Sequence, residues 1–221
     1  MTPLGSRSLA LRGYYAILDV KVGDVEDVAR ATERAERLLA ATPCMLQVRA
    51  KGASARALAA LARAVHPLAT HAGVPLCVND RLDVALAVGA EAVHLGQEDL
   101  PLAEARRVGA GRLVIGVSTH SLEQASAAAA GGADYLGFGP IFATRSKENP
   151  DATVGLELLR RAVHAHPRIT IVAIGGITPE SASDVAATGA PAAAVINAIE
   201  RAPDAPAAAR KVAAAFLPEP R

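Results

Sequence analysis

The sequence contains only two cysteines, carries a net charge of +1 and has no long uninterrupted apolar run. Cys44 and Cys77 lie at or beside predicted buried strands without the spacing of metal ligands, so we expect free core thiols that take no part in chemistry. The small net charge gives no basic surface for nucleic acid. No stretch reaches the ~20 apolar residues of a membrane span, and residues 1–13 have no apolar segment of the secretory-signal type. We therefore expect a cytoplasmic protein that binds neither nucleic acid nor a membrane.

The chain does contain enough apolar sequence for one large core. Of its 221 residues, 51% are hydrophobic and 20% are charged, which indicates one compact domain. Short β-rich apolar runs alternate with segments of helical period. The predicted strands are residues 14–19, 45–49, 76–79, 92–96, 114–118, 135–140, 170–176 and 192–198. The predicted helices are residues 25–41, 54–70, 82–88, 102–108, 122–130, 155–166, 179–188 and 206–216, with Ser54, Ser121 and the Thr178-Pro179 pair as expected helix starts.

Eight strand–helix units in a chain of this length predict an α/β protein with a compact (β/α)₈ TIM barrel. Parallel strands need crossover helices, and eight such strands close into a barrel with a filled interior. An open doubly wound sheet is the alternative, but no Gly-x-Gly-x-x-Gly turn follows the first strand, which ends in Leu18-Asp19. We expect an N-terminal extension at residues 1–13, a barrel catalytic domain at 14–216 and a C-terminal tail at 217–221.

Two of the predicted strand ends, where a barrel carries its chemistry, bear acids. Asn79-Asp80 ends the third strand, and Asp99 comes shortly after the fourth. Carboxylates at the same end of neighbouring parallel strands can hold a hard cation such as Mg²⁺, with water and phosphate oxygens as its other ligands. The alternative is that both aspartates only cap the helices that follow. The polar ends of the other strands favour a magnesium–diphosphate site.

The second predicted strand ends in Gln47-Val48-Arg49-Ala50-Lys51. Alternation places Gln47, Arg49 and Lys51 on one face, and Val48 and Ala50 on the other. Arginine suits bidentate contact with phosphate, and lysine suits a point-charge contact. A single basic residue at a strand end is often only solvated, but an amide and two cations on one face indicate a phosphate ligand.

Hydroxyls and further cations follow the fifth and sixth strands. The fifth ends in Ser118-Thr119-His120, where His120 could act as a base or as a local hydrogen-bonding residue. After the sixth strand, Thr144-Arg145-Ser146-Lys147 offers two hydroxyls and two cations within four positions. Such a segment suits a lid that closes over an anion, although an ordinary surface loop would have a similar composition.

The last two strand ends indicate a second anion site. Gly175-Gly176 ends the seventh strand, and Ile196-Asn197 lies at the end of the eighth. Paired glycines let backbone N–H groups approach a ligand, and the loops after strands seven and eight form the recurrent phosphate site of these barrels. Two anion sites across one barrel mouth suggest that a diphosphate-activated group is joined to a phosphate-bearing acceptor.

Six motifs in register give the chain a strong resemblance to the thiamine phosphate synthase family, from about Tyr14 to Phe216. They are Gln47-Val48-Arg49-Ala50-Lys51, Val78-Asn79-Asp80, His94-Leu95-Gly96-Gln97-Glu98-Asp99, Gly116-Val117-Ser118-Thr119-His120, the Gly-Pro-Ile-Phe-Ala-Thr-Arg-Ser-Lys run at 139–147 and Gly175-Gly176-Ile177-Thr178. Each motif alone is weakly specific, whereas all six in order are highly specific.

The resemblance implies condensation of 4-amino-2-methyl-5-hydroxymethylpyrimidine diphosphate with a thiazole phosphate, carboxylated or not, to thiamine phosphate and diphosphate. The pyrimidine diphosphate site would comprise Gln47, Val48, Arg49, Ala50, Lys51, Asn79, Ser118 and Lys147, of which Arg49, Lys51 and Lys147 would be catalytic. The thiazole phosphate site would comprise Thr144, Arg145, Ser146, Gly176, Ile196 and Asn197. Asp80 and Asp99 would bind the cofactor Mg²⁺. The partners implied are these small-molecule substrates, and homo-oligomerisation is compatible with the sequence.

Three positions depart from the family pattern. Ala50 stands where the family often has Glu, on the face that points away from the ligand, and Ser146 keeps the hydroxyl of the usual Thr. Asn197 replaces the usual Ser, so the resemblance carries over a backbone contact there rather than a side-chain contact.

Two alternatives keep the fold but change the activity. A thiazole tautomerase would need neither metal nor diphosphate, and Asp99 with Lys51 and Lys147 argues against it. A sensor that binds thiamine precursors without turnover would have no need for the complete set of metal and phosphate groups.

Overall fold

The strands and helices of the chain alternate from one end to the other, as the computed structural model shows. It describes residues 9–21, 28–109, 111–144 and 152–217. Within these, eight parallel strands pair in chain order and β8 pairs with β1, which closes the barrel. The strands are β1 (Gly13–Asp19), β2 (Met45–Arg49), β3 (Leu76–Asn79), β4 (Ala92–Leu95), β5 (Val114–Thr119), β6 (Tyr135–Phe138), β7 (Thr170–Ile174) and β8 (Ala192–Val195). The predicted (β/α)₈ barrel is confirmed, and the open sheet is excluded.

The helices of the described residues form the outer layer. They are α1 (Val28–Leu39), α2 (Ala55–His71), α3 (Leu82–Val88), α4 (Leu102–Gly109), α5 (Leu122–Ala130), α6 (Gly155–Ala165), α7 (Ala182–Ala186), α8 (Asn197–Glu200) and α9 (Ala205–Ala214). The expected caps at Ser54 and Ser121 are confirmed, since their hydroxyls accept from the N–H groups of Ala57 and Gln124, both at 3.2 Å. None of the described helices has both the length and the apolar character that crossing a membrane requires.

Strand alternation sorts the buried side chains into two layers. Tyr14, Ala16 and Leu18 face outward and pack with the helices, whereas Tyr15 faces the barrel interior. The interior cluster comprises Leu11, Tyr15, Met45, Cys77, Ala92, Val114, Tyr135, Val172, Ala192 and Ala194. The strands are therefore apolar on both faces up to their carboxyl ends, where polar side chains begin. This division places the site at the mouth.

Both cysteines are free thiols, as expected. Burial raises the pKa of the Cys77 thiol and that of the Cys44 thiol to about 12 each. A thiol with so high a pKa stays protonated near neutral pH, so neither cysteine is suited to nucleophilic chemistry.

Three predicted strands, β6, β7 and β8, are shorter by two or three residues in the structure because the chain leaves the sheet early. β7 ends at Ile174, since Gly175 and Gly176 have φ values of 88° and 69°. β8 ends at Val195, and Ile196 turns the chain into α8, which sequence periodicity did not reveal. β6 ends at Phe138, before the Gly139-Pro140 cis peptide bond. These turns bring backbone rather than pleated strand to the mouth.

The helix expected to begin at Pro179 begins instead at Ala182. The Thr178 hydroxyl accepts from the N–H groups of Glu180 and Ser181, both at 3.3 Å, and so closes a separate turn before the helix. The predicted start was wrong because Thr178 stabilises this turn rather than capping α7.

The outward-facing hydroxyl of Tyr14 leads to a prediction about stability. Among the described residues, it is the buried side-chain polar atom that has no hydrogen-bond partner, and the side chain is 1% exposed. Leaving a buried hydroxyl unsatisfied costs about 1–3 kcal/mol. We expect Tyr14→Phe to raise the free energy of unfolding by about 1 kcal/mol, or Tm by about 2–4 °C, in thermal denaturation. A lower Tm would show that the hydroxyl has a partner after all.

Candidate active site

A cavity of about 330 Å³ opens at the carboxyl ends of the strands. Eight of the predicted site residues line it: Gln47, Arg49, Asn79, Ser118, Thr144, Gly176, Ile196 and Asn197. They come from strands or loops on opposite sides of the mouth, so one cavity brings the two predicted substrate sites together. Whether each residue contacts substrate stays a prediction.

The remaining predicted residues lie beside the cavity or beyond the described residues. Lys51, Asp80 and Asp99 do not line the cavity and lie in the segments that follow β2, β3 and β4. The Val48 side chain is buried in the outer layer and Ala50 packs against that layer, so only their backbones could face a ligand. Arg145, Ser146 and Lys147 lie outside the described residues.

The guanidinium of Arg49 is held by a network of ion pairs. It contacts the carboxylate of Asp19, which ends the neighbouring strand β1. Arg34 of α1 donates to the backbone carbonyl of Asp19 at 2.7 Å and to Glu200 Oε1 at 2.6 Å. Because Glu200 belongs to α8, the network connects the cation of one predicted substrate site with the helix that begins at the other. It restricts the rotamer of Arg49 at the mouth.

Asp80 and Asp99 meet at the ends of β3 and β4. Their side chains interact directly, and Lys51 Nζ lies 3.7 Å from Asp80 Oδ2. Asp99 Oδ2 also accepts from the N–H of Gly96 at 2.6 Å. Burial, followed by the neighbouring Asp99 carboxylate, raises the pKa of Asp80 to about 6, whereas Lys51 and Arg49 oppose this rise. Two acids are thus held together against their mutual repulsion.

The helix-capping alternative does not describe Asp80. The residue immediately before α3 is Arg81, and its side chain makes no capping hydrogen bond to the start of the helix. Asp80 instead adopts a left-handed backbone with φ of 63°, and its N–H donates to the carbonyl of His94 at 2.8 Å. That conformation is uncommon for a non-glycine residue and turns the carboxylate toward Asp99 and Lys51.

The donor chemistry of the Asp80–Asp99 pair fits a hard divalent cation. Carboxylate oxygens suit Mg²⁺, and a cation between the two acids would offset both the burial and the neighbouring Asp99 charge, which together raise the Asp80 pKa. No cluster of three or more His, Cys, Asp or Glu side chains suited to a metal occurs in the described part of the chain. The pair would therefore need ligands from water or substrate, in the manner typical of magnesium with phosphates.

The floor of the cavity contains three polar aromatic residues that our sequence-based site did not include. Tyr15, His94 and Tyr135 line the cavity and are buried. Tyr15 Oη lies 3.0 Å from Tyr135 Oη, which in turn lies 3.0 Å from His94 Nδ1. Alternation could have indicated Tyr15, because it shares the inward face of β1 with Ile17. The contacts between the three depend on barrel closure and could not be read from local pattern.

His120 has the local hydrogen-bonding role that was one of its two interpretations. Its Nδ1 lies 2.5 Å from the carbonyl oxygen of Gly139, and its backbone N–H donates to Gln124 Oε1 at 2.7 Å. A carbonyl can only accept, so Nδ1 carries the hydrogen. The ring joins the end of β5 to the loop after β6.

The loops after β6 and β7 are joined through their backbones. The N–H of Ile141 donates to the carbonyl of Ile174 at 2.9 Å, and that of Phe142 donates to Gly175 at 3.1 Å. A Cβ on Gly176 would lie 2.6 Å from the carbonyl oxygen of Ala143. Glycine is therefore required at 176 both for its positive φ and for the close approach of the loop that leads to Thr144.

Comparison with known proteins identifies what this arrangement resembles. The family model described as thiamine monophosphate synthase matches residues 15–199. The thiamine-phosphate synthase of Chloroflexus aurantiacus is 50% identical over 170 residues, covering 77% of this chain and 78% of that protein. The one from Moorella thermoacetica is 43% identical over 198 residues, covering 90% and 92%.

A solved structure gives the same result. The thiamine phosphate pyrophosphorylase from Pyrococcus furiosus superposes with a TM-score of 0.80 at 35% identity. The match covers 92% of this chain and 95% of that one. Both the sequence motifs and the closed barrel are therefore shared with proteins of this kind.

Proposed function

Because the chain belongs to the thiamine monophosphate synthase family, and so is a transferase of thiamine biosynthesis, we propose that it joins a pyrimidine diphosphate to a thiazole phosphate with Mg²⁺. The observation that carries this proposal is the division of one cavity mouth. Acids and cations gather on the β2–β4 side, and the glycine pair with the start of α8 lies on the β7–β8 side. The alternatives that use one anionic substrate leave one of these sides without a ligand.

The pyrimidine diphosphate is proposed to bind on the β2–β4 side. Arg49 and Lys51 would contact the diphosphate, as would Lys147, and Asn79 and Ser118 would face the pyrimidine half. Asp80 and Asp99 would hold Mg²⁺, which when bound supplies a Lewis acid for the diphosphate oxygens. The thiazole phosphate would bind across the mouth at Gly176, Ile196, Asn197 and the loop with Thr144.

We propose a dissociative substitution. The bond between the pyrimidine methylene carbon and the diphosphate oxygen breaks first, and both electrons leave with the oxygen. The electron-rich aminopyrimidine stabilises the resulting cation until the thiazole nitrogen donates its electron pair to the methylene carbon. Arg49, held by its ion pair with Asp19, and Lys51, whose Nζ lies 3.7 Å from Asp80 Oδ2, would stabilise the charge on the departing group. This mechanism requires no nucleophilic side chain.

The walls of the cavity support this mechanism because a free cation would react with water. Apolar side chains line the cavity between the two predicted sites, among them Ile17, Val172 and Ile174. They would position the two rings and limit access of water to the methylene carbon.

The experiment that tests the function is diphosphate release by the purified protein. We expect release with both substrates and Mg²⁺, and little with either substrate alone or with a chelator. Isomerisation of the thiazole phosphate without diphosphate release would favour the tautomerase. Binding of both substrates without turnover would favour the sensor.

A cytoplasmic location and the absence of nucleic acid and membrane partners stay predictions from the sequence.

The acceptor site leads to a prediction about Gly176. We expect Gly176→Ala to raise the KM for thiazole phosphate about tenfold or more while changing that for pyrimidine diphosphate much less, because the added Cβ displaces the loop that leads to Thr144. Steady-state kinetics with each substrate varied in turn measure the difference.

Gly73→Ala is the matched control for Gly176→Ala. Gly73 has φ of 68°, close to the 69° of Gly176, but a Cβ there would meet nothing within 4 Å. It therefore reproduces the backbone strain without the clash. Equal rises in both KM values for Gly176→Ala would place the glycine outside the acceptor site.

A further inference from the structure

A continuous chain of hydrogen bonds crosses the cavity floor from β2 to β5. Gln47 Nε2 donates to Tyr15 Oη at 2.9 Å, and Tyr15 Oη lies 3.0 Å from Tyr135 Oη. Tyr135 Oη lies 3.0 Å from His94 Nδ1, and His94 Nε2 lies 2.9 Å from Ser118 Oγ. Tyr135 is the central member of these hydrogen bonds, and its side chain is buried.

Two inward-facing glycines provide the space for the rings of this chain. A Cβ on Gly116 of β5 would lie 2.0 Å from Tyr135 Cζ, so the phenol ring lies directly against the backbone there. A Cβ on Gly137 of β6 would lie 3.0 Å from Cε1 of His94. Because β5 and β6 are adjacent strands, the two glycines place the phenol and the imidazole side by side, with ring centroids 5.5 Å apart.

The donor and acceptor groups of these residues are consistent with hydrogen bonds that all donate in one direction, from Gln47 toward Ser118. The amide nitrogen of Gln47 can only donate, so the oxygen of Tyr15 accepts and its own hydrogen is available for Tyr135. With the Tyr15 hydrogen given to Tyr135, the Tyr135 hydroxyl would donate in turn to Nδ1 of His94. A neutral imidazole that accepts at Nδ1 carries its hydrogen on Nε2, which donates to the oxygen of Ser118. The hydroxyl hydrogen of Ser118 is thereby directed to an acceptor in the cavity.

We propose that Tyr135 is a positioning residue that holds His94 as the Nε2–H tautomer and so makes Ser118 a hydrogen-bond donor to the substrate. The inference rests on the proposed placement of the pyrimidine diphosphate beside Ser118. The group that Ser118 would recognise is a hydrogen-bond acceptor of the substrate, either a nitrogen of its ring or an oxygen of its diphosphate. Tyr135 lines the cavity, but the effect proposed for it on the reaction is exerted through the imidazole of His94.

The first test reads the tautomer directly. Long-range ¹H–¹⁵N NMR of the labelled full-length protein, with His94 assigned by comparison with His94→Gln, is expected to show hydrogen on Nε2 and none on Nδ1. In Tyr135→Phe, which removes the donor to Nδ1, we expect both tautomers. Hydrogen on Nδ1 in the parent protein would overturn the proposal whether or not the protein condenses the substrates, so this arm is independent of the proposed function.

The second test is kinetic and uses a matched tyrosine. Tyr135→Phe is expected to lower kcat/KM for pyrimidine diphosphate about tenfold, as for the loss of one hydrogen bond, with the KM for thiazole phosphate unchanged. Tyr14→Phe removes an equally buried hydroxyl on the outward face of β1 and is expected to keep the parent kinetics. The proposal is wrong if the two variants behave alike.

Substitutions of His94 keep the proposal testable if Tyr135→Phe fails to fold. The amide nitrogen of glutamine can replace Nε2 and donate to Ser118, whereas that of asparagine occupies the Nδ1 position. We expect His94→Gln to retain at least about tenfold more kcat/KM than His94→Asn, a difference of one hydrogen bond. Equal activities, or a more active asparagine variant, would show that donation from Nε2 to Ser118 does not matter.

Discussion

Asp80→Asn and Asp99→Asn are each expected to lower the rate of diphosphate release about 100- to 1000-fold while leaving the barrel folded. Each substitution removes one negative charge from the proposed magnesium site, and the loss of one preorganised electrostatic contact costs about 3–4 kcal/mol in the transition state. Asparagine is the suitable replacement at 80, because the backbone there has φ of 63° and asparagine tolerates the left-handed region. Single-turnover condensation at saturating substrates and Mg²⁺ measures the effect.

Asp83→Asn is the matched control for the two aspartate variants. Asp83 lies at the start of α3, three positions from Asp80, and pairs with Arg81 on the surface. We expect the parent rate for this variant. Thermal stability should not fall in Asp80→Asn or Asp99→Asn, because removing one of two like charges relieves repulsion. Parent rates in both variants, together with insensitivity to a chelator, would exclude the magnesium assignment.

Lys51→Met is expected to slow condensation about 30- to 1000-fold, corresponding to about 2–4 kcal/mol of transition-state stabilisation. Methionine keeps most of the apolar stem and removes the charge, and the Lys51 side chain is 63% exposed, so lost packing should contribute little. Equilibrium binding of thiazole phosphate should change much less, because that phosphate is proposed to bind across the mouth. Single-turnover kinetics beside a binding titration separate the two effects.

Two further lysine variants are compared with Lys51→Met, one as a control and one as a second test of the diphosphate contacts. Lys211→Met removes an exposed ammonium that pairs with Glu180 on the outer surface, and the parent rate is expected for it. Lys147→Met is expected to behave as Lys51→Met does. If Lys51→Met and Lys147→Met both condense at the parent rate yet lose thiazole phosphate binding, the two-site arrangement is wrong.

Local pattern was sufficient for the barrel and for many of the residues at its mouth. Strands buried on both faces appear as short apolar runs, and the bounds predicted for β2 and β3 agree with the structure. Because parallel strands in a barrel all end at one face, a polar residue at a strand end is placed near the site by the fold class alone. Gln47, Arg49 and Asn79 line the cavity for this reason.

The ends of the last strands were less predictable, because turn geometry competes there with strand pattern. Residues 192–198 are mostly small or apolar, so the sequence indicated one strand up to residue 198. In the structure the chain turns at Ile196 and begins α8 at Asn197. The left-handed backbone of Asp80 is a similar case, since nothing in Asn79-Asp80 requires φ of 63°. Contacts with neighbouring elements stabilise such conformations, and these contacts have no local sequence signal.

The hydrogen bonds at the floor of the cavity could not be predicted from the sequence, because they form only when the barrel is closed. Tyr15 and Tyr135 are 120 positions apart, yet their hydroxyls lie 3.0 Å from each other. Arg34 and Glu200 are 166 positions apart and form an ion pair beside Arg49. Periodicity and motif spacing report which face of a strand a side chain occupies, because both repeat over a few residues. The partner that it meets across the interior is set by strand register and barrel closure, which join residues that no local pattern relates.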